Sequence, residues 1–509
     1  MERTSGPGAG GTGGTGETTR GPGRAGAAGA DFLQLDPRQA PPGGLADWLA
    51  RRLRAAVLDG SLPVGTRLPA TRTLAAELRV SRGVVTDAYR RLGEDGLVAG
   101  RGRAGTVVAA APVRPCAPPP PSAPAAPPPP AEVFAAEPGP DVFDLLRAVP
   151  ARIDLTPGTP DLSAFPRAAW LRAERRVLDG AASSQLGYGD PRGAPALRSA
   201  VAGWLARNRG LRVDPDEVLI TSGTAQTLTL FGQVLHDGGV REVAVEDPGA
   251  LGARMHLNAR GLATPPVPVD EEGVRVDVLR ATGAPVVLLT PAHQFPTGVV
   301  LGGGRRRALM RWAAGGGLVV EDDYDAEHRY DRPPVPALRS VLPDRVLHCG
   351  SVSKLLAPAL RLGWAVAPPR HREALVEARR YADLGSAALP QLTLARLMDS
   401  GELERHLRLL RVRHRRRRDA MAAAVRERLP GAVVRGAAAG LHLTVVFDAA
   451  FRDTDLAAAA LERGVKTQPL SWHAQRPGPP GLVLGYAART PGEIREAVAA
   501  LGRVVRAAG

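Results

Sequence analysis

Two lysines stand in a chain that otherwise meets its need for positive charge with arginine: of 66 Lys and Arg residues, only Lys354 and Lys466 are lysine. Lys354 lies in Gly350-Ser351-Val352-Ser353-Lys354, followed by an apolar turn and Pro358-Ala359-Leu360-Arg361-Leu362-Gly363. An amine can do what a guanidinium cannot: lose its proton and condense with a carbonyl. By itself, one retained lysine is equally well a surface residue in a loop.

Further upstream are residues that give such an amine a partner. Gly317-Leu318-Val319-Val320-Glu321-Asp322-Asp323-Tyr324-Asp325 is an apolar strand with acids at its carboxyl end, the end of an open α/β sheet where ligands bind. Asp322 there can hold a pyridinium nitrogen protonated, and Tyr324 can reach a ring hydroxyl. The same acids would also suit a metal site, a cap or a solvated turn. Val218-Leu219-Ile220-Thr221-Ser222-Gly223-Thr224-Ala225-Gln226 is a strand, a glycine turn and a helix start, whose free amides at Gly223, Thr224 and Ala225 can cradle a phosphate. Ser351 and Arg361 can add a hydroxyl and a bidentate cation to the same phosphate. A Schiff-base lysine, an acid for a ring nitrogen and a phosphate cradle are what a protein needs to hold pyridoxal 5'-phosphate.

These segments resemble the fold-type I, pyridoxal-phosphate-dependent enzymes of the aminotransferase superfamily, in the right order: phosphate turn, Asp strand, Ser-x-x-Lys, then Arg seven residues on. Tyr188-Gly189-Asp190-Pro191, Glu246-Asp247-Pro248-Gly249 and His293-Gln294-Phe295-Pro296-Thr297-Gly298 extend the match. The resemblance implies a Schiff base at Lys354 and a Tyr188 that reaches the cofactor phosphate of a partner subunit, hence a homodimer. It also exposes departures. Ala250 occupies the place of a ring-stacking aromatic, which leaves His293 as a substitute. Phe295 replaces an Asn, and the arginine for a substrate carboxylate falls near Leu482, with Arg476 and Arg489 close by.

The N-terminal part has a different grammar. Leu45 to Gly60 carries apolar residues at helical spacing and ends in Gly; Thr73 to Leu78 is a short helix; Ser81 is a good N-cap for a third, Arg82 to Leu92, with Val84, Val85, Ala88, Tyr89 and Leu92 inward. Gly96 to Val108 is a glycine-rich hairpin. Three helices and a hairpin make a winged helix-turn-helix, whose third helix enters the major groove of double-stranded DNA. Leu68-Pro69-Ala70-Thr71-Arg72-Thr73-Leu74-Ala75 and the run from Val80 to Tyr89 resemble the GntR family. By that resemblance Arg72, Ser81, Arg82 and Thr86 face operator DNA, with Arg101 and Arg103 on the wing, while Gly83 leaves no side chain where the family often has a larger one.

Together the two parts are similar to the MocR/PdxR subfamily of GntR-type transcription regulators, over roughly residues 45–507. The expected organisation is a disordered Gly-rich tail at 1–44, a mostly α winged helix-turn-helix at 45–110, a Pro/Ala-rich linker at 111–140, and an α/β aminotransferase-like domain at 141–509. Its strands and helices alternate through Tyr330 as a parallel sheet, and a small α+β portion follows. The expected function is operator binding modulated by pyridoxal phosphate, or by an amine or amino acid that forms an aldimine. The alternatives are an active aminotransferase with an appended DNA-binding domain, and a repressor that uses the larger domain only to dimerise.

Whole-chain properties bound the rest. The formal charge of +15 allows nucleic acid as a partner, although arginine is overused throughout together with Ala, Gly and Pro. The run from Arg405 to Arg418 is read as an amphipathic helix with a solvated face in preference to a DNA-binding or targeting segment. Cys116 and Cys349 form no disulfide or metal pattern, no apolar run approaches the ~20 residues of a membrane span, and the N-terminus has no apolar signal core. A cytoplasmic protein without a membrane partner and without a metal is expected.

Overall fold

The structure is a computed structural model; it describes residues 33–102, 105–110, 129–135, 137–330 and 335–508. The chain divides into two units, Met1–Ala125 and Ala126–Gly509.

The smaller unit is built on α1 (Leu45–Leu58), α2 (Thr71–Leu78) and α3 (Arg82–Glu94), with β1 (Val98–Gly100) antiparallel to β2 (Thr106–Val108). Leu49, Leu53, Leu74, Val85, Ala88 and Leu92 fill its core, each deeply buried. Burial of a Leu or Val side chain contributes about 1.5–3 kcal/mol. The turn between α2 and α3 is closed by Arg79, in the left-handed region at φ +53°, and by Ser81, whose hydroxyl accepts from the Val84 amide at 3.4 Å. Tyr89 is buried and donates to the Pro69 carbonyl at 2.9 Å, which fixes α3 against the entry to α2. The expected tail is shorter than 44 residues. Leu33, Leu35 and Ala40 pack on this core, and Asp36 caps a 3-10 turn at Pro37–Gln39.

The expected linker also ends early. Residues 111–128 lie outside the described set, but α4 (Pro130–Ala135) belongs to the larger unit. Val133 and Phe134 are buried in its core, and the Phe134 ring stacks on Trp472 at 5.2 Å. The proline-rich composition hid two apolar side chains that are enough to dock one helical turn.

The larger unit begins its strands with β3 (Ile153–Asp154), β4 (Val218–Thr221), β5 (Val243–Asp247), β6 (Pro266–Asp270), β7 (Gly273–Val274), β8 (Val286–Leu289), β9 (Leu318–Asp323), β10 (Val346–Ser351) and β11 (Gly363–Val366). Eight of these form one sheet in the order β4-β11-β10-β9-β8-β5-β6-β7. β6, β5, β8, β9 and β10 run parallel to their neighbours in turn, and the apolar runs of β5, β8, β9 and β10 are buried. β11 is antiparallel to both β10 and β4. The connection from Ser351 to Gly363 has no helical crossover of the kind a parallel return requires. The remaining strands are β12 (Val433–Arg435), β13 (His442–Val446), β14 (Val465–Lys466), β15 (Gln468–Pro469) and β16 (Gly481–Gly485). They form a second sheet, β12-β13-β16-β15, while β14 pairs with β3 and sets Lys466 beside Asp154.

The basic run occupies the helix Glu402–Arg428, whose buried stripe includes Leu403, Leu407, Leu410 and Met421. A solvated face accounts for only part of it. Arg411 donates to the Glu327 carbonyl at 3.1 Å, Arg418 lies 5.1 Å over the Tyr330 ring, and Arg413 and Arg417 pair with the buried Asp161 at 3.1 and 2.9 Å. These arginines tie the helix to the rest of the domain.

Candidate functional site

Pleating decides which acid of Glu321-Asp322-Asp323 is available. Alternate side chains of β9 point to opposite faces. Glu321 accepts from the Leu338 and Arg339 amides at 2.8 and 3.3 Å, and Asp323 is held by the buried Arg209, whose Nη2 is 2.9 Å from Oδ1. Asp322 points the other way, into a cavity of about 530 Å³ at the carboxyl ends of the strands. Its Oδ1 is buried without a hydrogen-bond partner. Burial pushes its carboxyl up to about 7; a hydrogen bond from Thr224 and the charge of Lys354 pull it down, and Asp323 and Asp325 push it further up.

Lys354 lines the same cavity, on the turn between β10 and β11. Its Nζ donates to the Gly158 carbonyl, and the His328 ring nitrogen Nε2 lies 3.1 Å from the Lys354 carbonyl. Burial lowers the pKa of the amine, against the pull of Asp325 and Asp322. A lysine depressed in this way offers more of the neutral, nucleophilic form.

The phosphate end forms where β4, β10 and β11 meet. Gly223 has φ +92°, and a Cβ there would stand 3.6–3.7 Å from the Arg361 guanidinium and the Ser351 hydroxyl. Thr224 and Ala225 begin the helix Thr224–Asp237, so their amides have no acceptor within the helix. Arg361 itself sits at φ +49° and donates to the Ser222 carbonyl; Ser351 is 2.9 Å from Ser353. Amides, hydroxyl and guanidinium converge on one point beside Gly223. An anion cradle, an acid with one unpartnered oxygen and a depressed amine around one cavity fit pyridoxal 5'-phosphate, which supplies an aldehyde for amine chemistry.

The cavity therefore brings together Gly223, Thr224, Ala225, Asp322, Tyr324, Ser351, Lys354 and Arg361. His293 is not among its lining residues, which corrects the expectation that this ring stacks on the cofactor. It is fully buried behind Tyr324, with Nδ1 2.8 Å from Asp325 and 3.1 Å from the Tyr324 hydroxyl. Burial raises Asp325, but the charge and hydrogen bond of His293 outweigh it and hold the carboxyl low. The pair fixes where the Tyr324 hydroxyl stands. Ala250 does line the cavity, as does His256. Tyr188 is 95% exposed and takes no part in the cavity of its own chain. Sequence reasoning did not foresee His256 or Lys466 as lining residues. For Lys466 the signal was present, because it is the second of the two lysines.

On the smaller unit, Arg72, Ser81, Arg82 and Thr86 are exposed at the starts of α2 and α3. Arg82 Nε is 3.4 Å from the Thr71 hydroxyl, and Thr86 donates to the Arg82 carbonyl at 2.9 Å. Arg90 and Arg91, further along α3, are engaged by Asp87, Glu94 and Asp47, whereas no carboxylate pairs with Arg72, Arg82 or Arg101 among the described residues. Arg101 is exposed on the hairpin, its amide bonded to the Gly105 carbonyl at 2.8 Å. Arg103 lies outside the described residues.

Such a chain is a DNA-binding reading head joined to an aminotransferase-type body. The family model "Bacterial regulatory proteins, gntR family" matches residues 45–108, and "Aminotransferase class I and II" matches 152–501. The chain is 31% identical to the probable rhizopine catabolism regulatory protein MocR of Rhizobium meliloti, over 89% of its own length and 92% of that protein. It is 30% identical to the pyridoxine biosynthesis transcriptional regulator PdxR of Corynebacterium glutamicum, over 93% and 98%. Among solved structures, Pyrococcus horikoshii kynurenine aminotransferase aligns with a TM-score of 0.67 at 27% identity, covering 72% of this chain and 94% of that one. The protein belongs to the MocR/PdxR subfamily of GntR-type transcription regulators, with a pyridoxal-phosphate-type aminotransferase domain. No helix among the described residues is long and apolar enough to cross a membrane.

Proposed function

We propose that this protein is a cytoplasmic, homodimeric regulator whose grip on operator DNA is set by what occupies the Lys354 cavity: pyridoxal phosphate alone, or a small amine or amino acid that displaces Lys354 from it. The observation that carries this reading is the placement of Lys354, the unpartnered Asp322 oxygen and the Gly223–Arg361–Ser351 cradle around one cavity. In this reading Lys354 captures the aldehyde, Asp322 holds the ring nitrogen, Tyr324 meets the ring hydroxyl, and the helix start with Ser351 and Arg361 holds the phosphate. Tyr188, so exposed in its own chain, completes the site of a second subunit. Arg72, Ser81, Arg82, Thr86, Arg101 and Arg103 face the operator.

A sensor is favoured over steady transamination because, among the described residues, the position near Leu482 and the two arginines close to it supply no cation for a substrate carboxylate. Leu482 is fully buried in the apolar core, Arg476 pairs with Asp247 at 2.9 Å, and Arg489 donates to the Asp154 carbonyl at 2.9 Å; none of the three lines the cavity. The effector acts through its different affinity for two states of the protein. An electrophoretic shift series with pyridoxal phosphate and a panel of amines tests this, with Lys354→Ala as the blind control. Operator affinity and bending that do not change under any ligand refute the switch.

A further inference from the structure

Both lysines of this arginine-rich chain line the same cavity, and the proposed function uses only one. Lys466 is on β14, its side chain only 5% exposed, with Nζ 3.8 Å from Asp154 Oδ2. That separation is too long for a hydrogen bond. Asp154 is also engaged elsewhere: its Oδ1 accepts from the Thr156 amide at 2.8 Å and the Thr156 hydroxyl at 2.7 Å. Among the described residues no protein acceptor lies within hydrogen-bond distance of Lys466 Nζ. A buried ammonium in that condition is costly unless a ligand anion or water completes it.

The other cations of the cavity have assignments. Arg361 belongs to the phosphate cradle, Lys354 to the aldehyde, and Arg147 is an exposed residue paired with Asp144. The segment from Asp154 to Gly158 links the two amines, since Lys466 stands beside its first residue and Lys354 bonds to the carbonyl of its last. An amine directed at the Lys354 end therefore has a cation waiting further along the same wall.

We propose that Lys466 anchors the anionic end of the effector, which makes the effector an amino acid (a primary amine carrying a carboxylate) rather than a simple amine. The inference rests on the reading of Lys354 as the cofactor lysine. Lysine brings three donors as a compact point charge, so a ligand carboxylate does not need the wide, planar fork that arginine presents.

The test uses full-length protein loaded with pyridoxal phosphate and reads the absorbance of the bound cofactor during titration. Leucine is compared with 3-methylbutylamine, and 5-aminopentanoate with pentylamine. The expected result is that at least one carboxylated ligand binds 10-fold or more tighter than its matched amine. Lys466→Met should then weaken that ligand about 10- to 100-fold and leave the amine unchanged. Asp154→Asn, which removes the neighbouring carboxylate, should tighten the carboxylated ligand. Equal affinities for acid and amine in the wild type overturn the proposal, as does an equal loss of both in Lys466→Met. If that variant loses the cofactor band, Lys466 supports the cofactor and the proposal is again overturned; if it does not fold, Lys466→Gln and Asp154→Asn decide by the same criteria. A wild type without any cofactor band refutes the Lys354 reading and this inference together, whereas a band with equal affinities refutes this inference alone.

Discussion

Neutralising Asp322 should make the cofactor-free protein more stable and a poorer host for its cofactor. Burial pushes the folded carboxyl from 3.8 up to about 7. In the unfolded chain it ionises at its ordinary value, so between those two values the folded state holds a proton that the unfolded state releases. Stability is therefore lost as pH rises through the window from about 4 to about 7 and is level above it. Three pKa units correspond to about 4 kcal/mol. Asp322→Asn removes this cost. In cofactor-free protein it should stabilise the larger unit by about 4 kcal/mol at pH 8 and by roughly a third of that at pH 5. Calorimetry at both pH values, following the transition of the larger unit, measures the difference. The same variant gives up a charge-assisted hydrogen bond to the pyridinium, about 1.5–3 kcal/mol, and should bind pyridoxal phosphate roughly 10- to 100-fold more weakly. A gain that does not depend on pH, or an unchanged cofactor affinity, refutes the assignment of Asp322 to the ring nitrogen.

Arg361→Gly should relax the left-handed backbone at φ +49° and gain about 1 kcal/mol of stability while cofactor affinity falls, which denaturation and absorbance titration measure separately. Phe134→Ala should cost the larger unit about 3–5 kcal/mol in thermal denaturation, because the ring is buried and stacked on Trp472. Arg82→Ala should weaken operator binding and reduce the dependence of log affinity on log salt by about one if it contacts a phosphate; an unchanged slope and unchanged affinity exclude it from the interface.

How far the sequence could be read depended on whether a signal was local. The winged helix-turn-helix rests on helical periodicity, an N-cap at Ser81 and glycines in the hairpin, so its elements emerge within a residue or two of their expected places. The order of phosphate turn, acid strand and lysine was equally plain. Which of the adjacent acids faces the cavity follows from strand alternation once the partners of Glu321 and Asp323 are known. Tertiary facts were hidden. His293 looked like a ring partner because Ala250 leaves the stacking position without an aromatic, yet its place is set by Asp325 and Tyr324, which no spacing reveals. Val133 and Phe134 were masked by the prolines around them. The arginine run looked solvated because its acceptors are the backbone carbonyls of Glu327 and Tyr330, which leave no mark in the residue types, and the carboxylate of Asp161, which is distant in sequence.

The wall that carries Asp154 is completed from the far end of the chain: Arg489 holds the Asp154 carbonyl across 335 residues of sequence, and Lys466 arrives on the strand that zips beside it. A ribosome must therefore release nearly the whole polypeptide before this pocket has all its sides. A protein cut short in its last tenth keeps every residue of the reading head and loses Lys466 and Arg489, and with them two supports of the pocket wall.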